Sequence, residues 1–336
     1  MAEILDLDEL LKGDNSEAEV LTFYKGTVTL YYDHRLHAYY RVDPKEGRIL
    51  IPGATTVTAT IDKSGPLTQW AANEACNLLR TKILPGETYT AEQLEALFNE
   101  ARFNFRKISK TATDIGHMAH RWLEDRLHAQ IRGEHFTAAL PDNEKAVNCI
   151  NSALDWMEKH QFTAKTSEIK VYSRMYDYAG TMDWDGWFTG CGDPECSSCW
   201  FIGTQRVFVV GDFKSSKALY DEYRAQLAAY QHARSEEFPE LKYDGRLLLQ
   251  MGKEDGKFNT MFMPHEEFEA DFTGFLGALA TFNWMKQLTL EKKAAKDAEK
   301  AAKLKAEEAS GKKPHKPRVP KVIIPTTGYT PIPVEA

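Results

Sequence analysis

The sequence predicts an α/β protein: a small mixed sheet flanked by helices, with an N-terminal β/helical extension. Three observations predict it. Residues 20–60 are rich in Tyr, Thr and Val (LTFYKGTVTLYYD, HAYYRVD, RILIPGATTVTATI), a strand-like composition broken at Pro52-Gly53. From residue 66 to about residue 160, apolar residues recur three and four apart, the period of amphipathic helices. From residue 166 the pattern shifts to short β runs. One of these, RVFVVGDFK, is a short β-branched run like a strand buried on both faces, and the helical LYDEYRAQLAAYQHARSEE follows it.

These shifts divide the chain. Residues 1–63 form a leader and a β-rich segment. Residues 64–165 form a helical wall, carried by WAANEACNLLRTKI, AEQLEALFNEARFNFRKIS, IGHMAHRWLEDRLHAQI and NEKAVNCINSALDWMEKH. Residues 166–265 hold the core sheet: SEIKVYSRMYDYAGTMDWDGWF as two strands and a turn, then RVFVVGDFK, then GRLLLQMG and KFNTMFM as a closing hairpin. A cysteine-bearing insertion, 190–205, interrupts this core. Residues 266–306 read as one long helix, and 307–336 as a Pro- and Lys-rich tail with no stable fold of its own. There is no internal repeat.

Hydrophobic residues make up 43% and charged residues 27% of the 336, which excludes collagen-like, disordered and disulfide-scaffold classes. No apolar run approaches the roughly 18–20 residues that span a bilayer, so no membrane partner is expected. The opening MAEILDLDELLKGD is acidic and lacks the zones of a signal peptide. With only five cysteines, this points to a reducing cytoplasm and to free or metal-bound thiols. The net charge of −7 is uneven: residues 291–321 carry 11 Lys/Arg against 5 Asp/Glu, leaving −13 on the rest. An acidic body does not coat nucleic acid indiscriminately, but it can collect carboxylates around a cation.

The chemistry concentrates between residues 180 and 230. Asp183 sits at a strand turn in G-x-x-D, and Asp212 and Lys214 end RVFVVGDFK. Two carboxylates on neighbouring strands can share a hard cation such as Mg²⁺. Strand alternation puts Asp212 and Lys214 on one face, so the ammonium group lies beside the metal, where it can orient water or stabilise charge on a phosphate. Nearby anions keep that lysine protonated. His120 and Glu124, one helical turn apart, face the same way, and an imidazole suits Mn²⁺ or Mg²⁺ as a further ligand. Glu168 adds a carboxylate on the preceding strand. Gln226 and Tyr230, also one turn apart, lie on the helix after the Asp212 strand, where their polar face can cover a substrate.

The order G-x-x-x-H (Gly116, His120), E (Glu168), G-x-x-D (Gly180, Asp183), D-x-K (Asp212, Lys214), Q-x-x-x-Y (Gln226, Tyr230) resembles the PD-(D/E)XK nuclease superfamily. More narrowly it resembles the RecB-like branch, which includes the CRISPR-associated RecB-like exonucleases and their bacteriophage relatives. The lead-in IPGATTVT from residue 51 and LTQWA from residue 67 is similar to that of phage members, and the likeness covers residues 50–265. It implies a restriction-endonuclease-like core. It also implies His120, Asp183, Asp212 and the Phe213 backbone carbonyl as metal ligands, Lys214 as the catalytic lysine, and Glu168 as a catalytic acidic position. Gln226 and Tyr230 would contact nucleic acid and support the site. The implied reaction is Mg²⁺- or Mn²⁺-dependent hydrolysis of a DNA phosphodiester by in-line attack of water, with a 3′-hydroxyl leaving.

One departure is the 29-residue separation of Asp183 and Asp212, caused by the insertion with Cys191, Cys196 and Cys199. Iron–sulfur members of the branch carry one cysteine before the core and three after it, so a 4Fe–4S cluster is not expected here. Three close thiols suit a structural zinc, with Cys149, Cys76 or a histidine as the fourth ligand; chance clustering or redox pairing is the alternative. The expected function is a phage-type DNA exonuclease of recombination, replication or DNA processing. A preference for single-stranded ends would follow if Trp184, Trp187 and Tyr220 stack on unpaired bases. The alternatives are a structure-specific endonuclease on the same fold and a non-catalytic DNA-binding or adaptor protein. The basic C-terminal tail is the expected hook for a recombination or replication partner.

Overall fold

The computed structural model describes residues 18–45, 47–61, 64–200 and 202–309. The leader up to residue 17 and the tail from residue 310, with the partner-hook expectation, lie outside them. Among the described residues the chain builds two sheets and six helices, an α/β fold flanked by helices. Two compact units divide it, Met1–Phe282 and Asn283–Ala336.

The first sheet is an antiparallel meander of β1 (Glu19–Phe23), β2 (Val28–Asp33), β3 (Ala38–Asp43) and β4 (Gly47–Ile51). Its apolar face buries Leu21, Phe23, Leu30, Tyr39 and Ile51 against Tyr172 and Ala179 of the second sheet. The backbone is stitched there too, because Ala179 N–H donates to the Pro52 carbonyl at 3.0 Å. Arg41 Nη1 donates to both carboxylate oxygens of Asp177, each at 2.7 Å.

The β-like reading of TTVT is corrected. Ala54–Thr58 is a short helix, α1. Its β-branched residues are tolerated because Ala54, Val57 and Thr58 are buried and Thr58 Oγ1 donates to the Thr55 carbonyl. The helical wall comprises α2 (Ser64–Lys82), α3 (Ala91–Arg132) and α4 (Glu144–Lys159). α3 starts at a Thr90/Gln93 capping box and stops at Gly133, whose φ of 69° closes the helix in the left-handed region. Asn143 caps α4 by accepting from Ala146 N–H at 3.1 Å.

The second sheet runs in the order β5 (Thr163–Ser173), β6 (Tyr178–Thr189), β7 (Arg206–Lys214), β8 (Gly245–Met251), β9 (Phe258–Pro264). All neighbours are antiparallel except β7 and β8, which are parallel and therefore need a crossover, supplied by α5 (Asp221–Glu237). β5 begins three residues before the expected position, and the 190–205 insertion falls between β6 and β7. α6 (Phe268–Ala309) replaces the expected 266–306 helix and follows a 3₁₀ turn at His265–Glu267. Residues 291–306 of α6 are exposed on every side.

The sheet is covered on both faces. Leu123, Leu127, Ile150, Trp156, Trp184 and Val209 build one core with α3 and α4. Val210, Leu227, Ala228, Leu248, Met263 and Phe275 build the other with α5 and the start of α6. This explains why RVFVVGDFK reads as one continuous apolar run: β7 is the central strand and has no solvent face. None of the described helices is long and apolar enough to cross a membrane.

Candidate active site

The candidate site lies where β6 and β7 separate. Their ladder ends at Trp184↔Gly211, while β6 continues to pair with β5 and β7 with β8. In the gap the Asp183 side chain replaces the missing strand partner, its Oδ2 accepting from Phe213 N–H at 2.9 Å. His120, on α3, brings Nδ1 to 3.4 Å from the same oxygen. Asp183, Glu168, Glu124, His120, Ser167 and Phe213 line a cavity of about 10 Å³, room for a single ion or water.

A break in strand alternation directs the carboxylates there. Met182 packs in the α5-side core and Trp184 in the α4-side core, although residues two apart on a strand normally share a face. The inversion falls at Asp183. Across from it, Glu168 has φ 52°, a left-handed conformation rare for a non-glycine residue inside a strand. Such strain, about 1–3 kcal/mol, tends to collect at functional sites.

Asp212 and Lys214 project together from β7, with Nζ 2.5 Å from Asp212 Oδ2. Lys214 also donates to Gln226 Oε1 at 3.3 Å and lies over the Tyr223 ring at 4.3 Å. Gln226 Nε2 donates to Thr55 Oγ1 at 3.0 Å and to Tyr230 OH at 2.7 Å. Gln226 and Tyr230 are buried, and their polar atoms are committed to Lys214, to Thr55 and to each other. In this arrangement they hold the ammonium group against Asp212. Thr55, at the start of α1, belongs to this set and was not anticipated from sequence.

Two motif glycines have steric explanations. A Cβ at Gly180 would lie 2.4 Å from Tyr230 Cε1, so the tyrosine ring occupies the space that the glycine leaves. A Cβ at Gly116 would lie 2.6 Å from Ser215 Oγ, which shows how closely α3 passes the end of β7. Gly180→Ala should displace the Tyr230 ring, cost about 1–3 kcal/mol of stability and release Lys214. Thermal melts with rates on the same preparations check this, and an unchanged melting temperature would refute the packing argument.

The electrostatics suit a divalent cation. Burial, then repulsion from Asp212, hold the Asp183 carboxyl well above its usual range. Burial raises Glu168 to about 7, with Glu124 and Asp212 adding to it against Lys170. Burial lowers His120 to about 4, leaving a neutral imidazole able to act as a ligand. Lys214 is raised because Asp212 and Asp183 outweigh its burial. Glu168 Oε2 is buried without a partner, and Asp212 Oδ2, though beside the ammonium, has no properly oriented hydrogen bond. Oxygen atoms left in this state suit a divalent ion.

A pH dependence follows with a definite sign. The folded-state pKa of Glu168 is raised above its unfolded value. Its penalty is therefore absent well below pH 4.5, grows as pH rises from about 4.5 to about 7, and is fully present above that. In EDTA, Glu168→Gln should be more stable than wild type at pH 8 by on the order of 2 kcal/mol, with the difference shrinking at pH 5. Melting curves at both pH values test this, and an equal difference at each would count against it.

A second cluster lies in the insertion. His160, Cys191, Cys196 and Cys199 place one ligand atom each within 4.8 Å of one another. His160, at the end of α4, is the fourth member, whereas Cys149 is buried elsewhere and bonds the Met251 carbonyl, and Cys76 is exposed on α2. His160 Nδ1 faces the Trp156 carbonyl at 2.8 Å, an acceptor only, so Nδ1 carries the proton. Nε2 is left with its lone pair toward Cys196 Sγ at 3.3 Å, the tautomer that binds metals.

The base-stacking expectation for Trp184 is overturned. It is fully buried, and its ring packs on the Gly211 backbone. Trp187 is stacked on Phe208 at 4.6 Å; Tyr220 alone of the three is exposed. No family model matches the chain, and no curated protein matches it.

Proposed function

We propose that the protein is a Mg²⁺- or Mn²⁺-dependent DNA exonuclease of the RecB-like, phage type, acting in recombination, replication or DNA processing in the host cytoplasm. The observation that carries this reading is the convergence of Asp183, Asp212, Glu168, His120 and Lys214 where β6 and β7 part, with buried oxygens lacking partners. Asp183, Asp212, His120 and the Phe213 carbonyl would hold the cation. When bound, it supplies Lewis-acid stabilisation of charge on the scissile phosphate and makes water a better nucleophile.

The chain's own groups do the rest. Lys214, kept cationic by Asp212 and Asp183, places an ammonium group beside the phosphate, where negative charge grows during attack. Gln226, Tyr230 and Thr55 hold that ammonium group in place. Glu168, whose carboxyl exchanges its proton near neutrality, is suited to accept one from the attacking water. In the same reading the His160/Cys191/Cys196/Cys199 cluster holds a structural Zn²⁺, for which three thiolates and one imidazole are a common ligand set.

End-labelled single strands, duplexes and closed circles should be incubated with Mg²⁺, Mn²⁺ or EDTA, using wild type and Lys214→Ala. Cation-dependent shortening from ends, lost in the variant, is expected. Cleavage of closed circles would move the protein to the endonuclease alternative. Equal activity of Lys214→Ala, or no hydrolysis with any cation, would end the nuclease reading.

A further inference from the structure

α3 extends far beyond the site it serves. Its first half packs against α2, through the Trp70–Phe105 edge contact at 6.3 Å and Asn104 Nδ2 donating to the Glu74 carbonyl at 3.2 Å. These contacts turn Ala101 and Phe105 toward α2. At 100° per residue, Arg102, Arg106, Ser109, Thr113 and His117 then lie on the stripe that leads to His120, within about a third of the circumference. Those five side chains are exposed. Arg102 is five turns from His120, about 27 Å along the axis.

The far end of the stripe has a defined chemistry. The Arg102 and Arg106 guanidinium groups lie 5.3 and 5.1 Å from the centroid of Phe103, which is 45% exposed. Among the described residues neither arginine has a carboxylate within ion-pair distance, whereas Lys110, one turn on, is paired with Asp114 at 2.9 Å. Both guanidinium groups lie over that ring, and they can swing from it onto phosphates and free its face for an unpaired base between them. A duplex would offer the ring no base face.

We propose that the α3 stripe is a track for single-stranded DNA, with Arg102 and Arg106 holding phosphates and Phe103 stacking a base several nucleotides from the scissile bond. The identity of the occupant rests on the nuclease reading; the binding surface does not. It also makes Phe103, rather than Trp184, the stacking residue.

The test is binding of fluorescent single strands of 4 to 16 nucleotides in EDTA, by anisotropy across a salt series, using Arg102→Glu/Arg106→Glu. The variant should bind longer strands at least tenfold more weakly, and its salt slope should fall by about 1.4, two contacts at about 0.7 each. Strands too short to reach the arginines should be unaffected, and Arg102→Lys/Arg106→Lys should keep most of the affinity. Arg80→Glu/Lys82→Glu on α2 should bind like wild type. Hydrolysis of a 4-nitrophenyl ester of thymidine 5′-phosphate should stay within twofold. Unchanged affinity for long strands, or an equal loss for blunt duplex, would overturn the proposal. Arginine-dependent strand binding by a protein that hydrolyses nothing would defeat the nuclease reading and leave this surface standing.

Discussion

Asp212→Asn is expected to reduce DNA hydrolysis at least a thousandfold while leaving the fold intact. The side chain is almost fully buried, and its carboxylate is the group between the Lys214 ammonium and the Asp183 carboxylate. Asparagine preserves the volume, so no cavity opens. It removes one anionic ligand and the charge nearest the lysine, and a lost preorganised charge at a reacting phosphate is worth about 3–4 kcal/mol or more. Stability should change little, because two effects oppose. Losing a buried charge partner costs about 3–5 kcal/mol, but Asp183 is relieved of its repulsion, ionises, and takes over as counter-ion to Lys214. Steady-state hydrolysis of an end-labelled strand, calorimetric titration with Mn²⁺, and thermal melts together read these terms. Activity within tenfold of wild type would place the chemistry elsewhere.

Cys196→Ser should remove one equivalent of bound metal and lower stability by more than about 3 kcal/mol. Structural zinc sites of this type release about 10–16 kcal/mol on binding when they fold a whole peptide; here most of the fold has its own core, so a fraction of that is at stake. The loss should not stay local. Ser198, one residue before Cys199, accepts from Trp156 Nε1 at 2.8 Å and bonds Thr260 of β9 at 2.7 Å. Trp156 stacks on His160 and packs on Trp184, whose ring lies against Gly211 just before Asp212. Activity should therefore fall with stability, although the cysteine is remote from the carboxylates. Metal content by mass spectrometry and melting temperature decide it: a wild type free of metal, or a variant with unaltered melting, would leave the thiols without this role.

Much of the candidate site's geometry was legible because it depends on short-range periodicity. The period of two in Asp212-x-Lys214 and the period of four in Gly116-x-x-x-His120 and Gln226-x-x-x-Tyr230 locate faces without any tertiary information. What escaped depends on long-range packing. His160 lies 31 residues before Cys191, and no local spacing marks it as the partner of the thiols. Thr55 reaches Gln226 only because α1 packs on α5. Trp184 suggests base stacking on its side-chain type alone, whereas the inversion at Asp183 and Glu168 turns the ring inward. TTVT favours a strand by composition, and burial of Ala54 and Val57 overrides that preference.

The stitching of the N-terminal meander to β6 bears on how the chain can be shortened. A truncated form starting near residue 60 keeps every acidic and basic group of the proposed catalytic set, so it would look like an attractive minimal enzyme. It would nonetheless leave Tyr172 and Ala179 facing water, strip Asp177 of Arg41, and remove the Thr55 hydroxyl from the lysine's support. Such a fragment should be recovered as an aggregate, and adding back residues 1–60 as a separate peptide should restore both solubility and turnover. On that outcome the meander is a built-in folding partner of the five-stranded sheet rather than a detachable accessory.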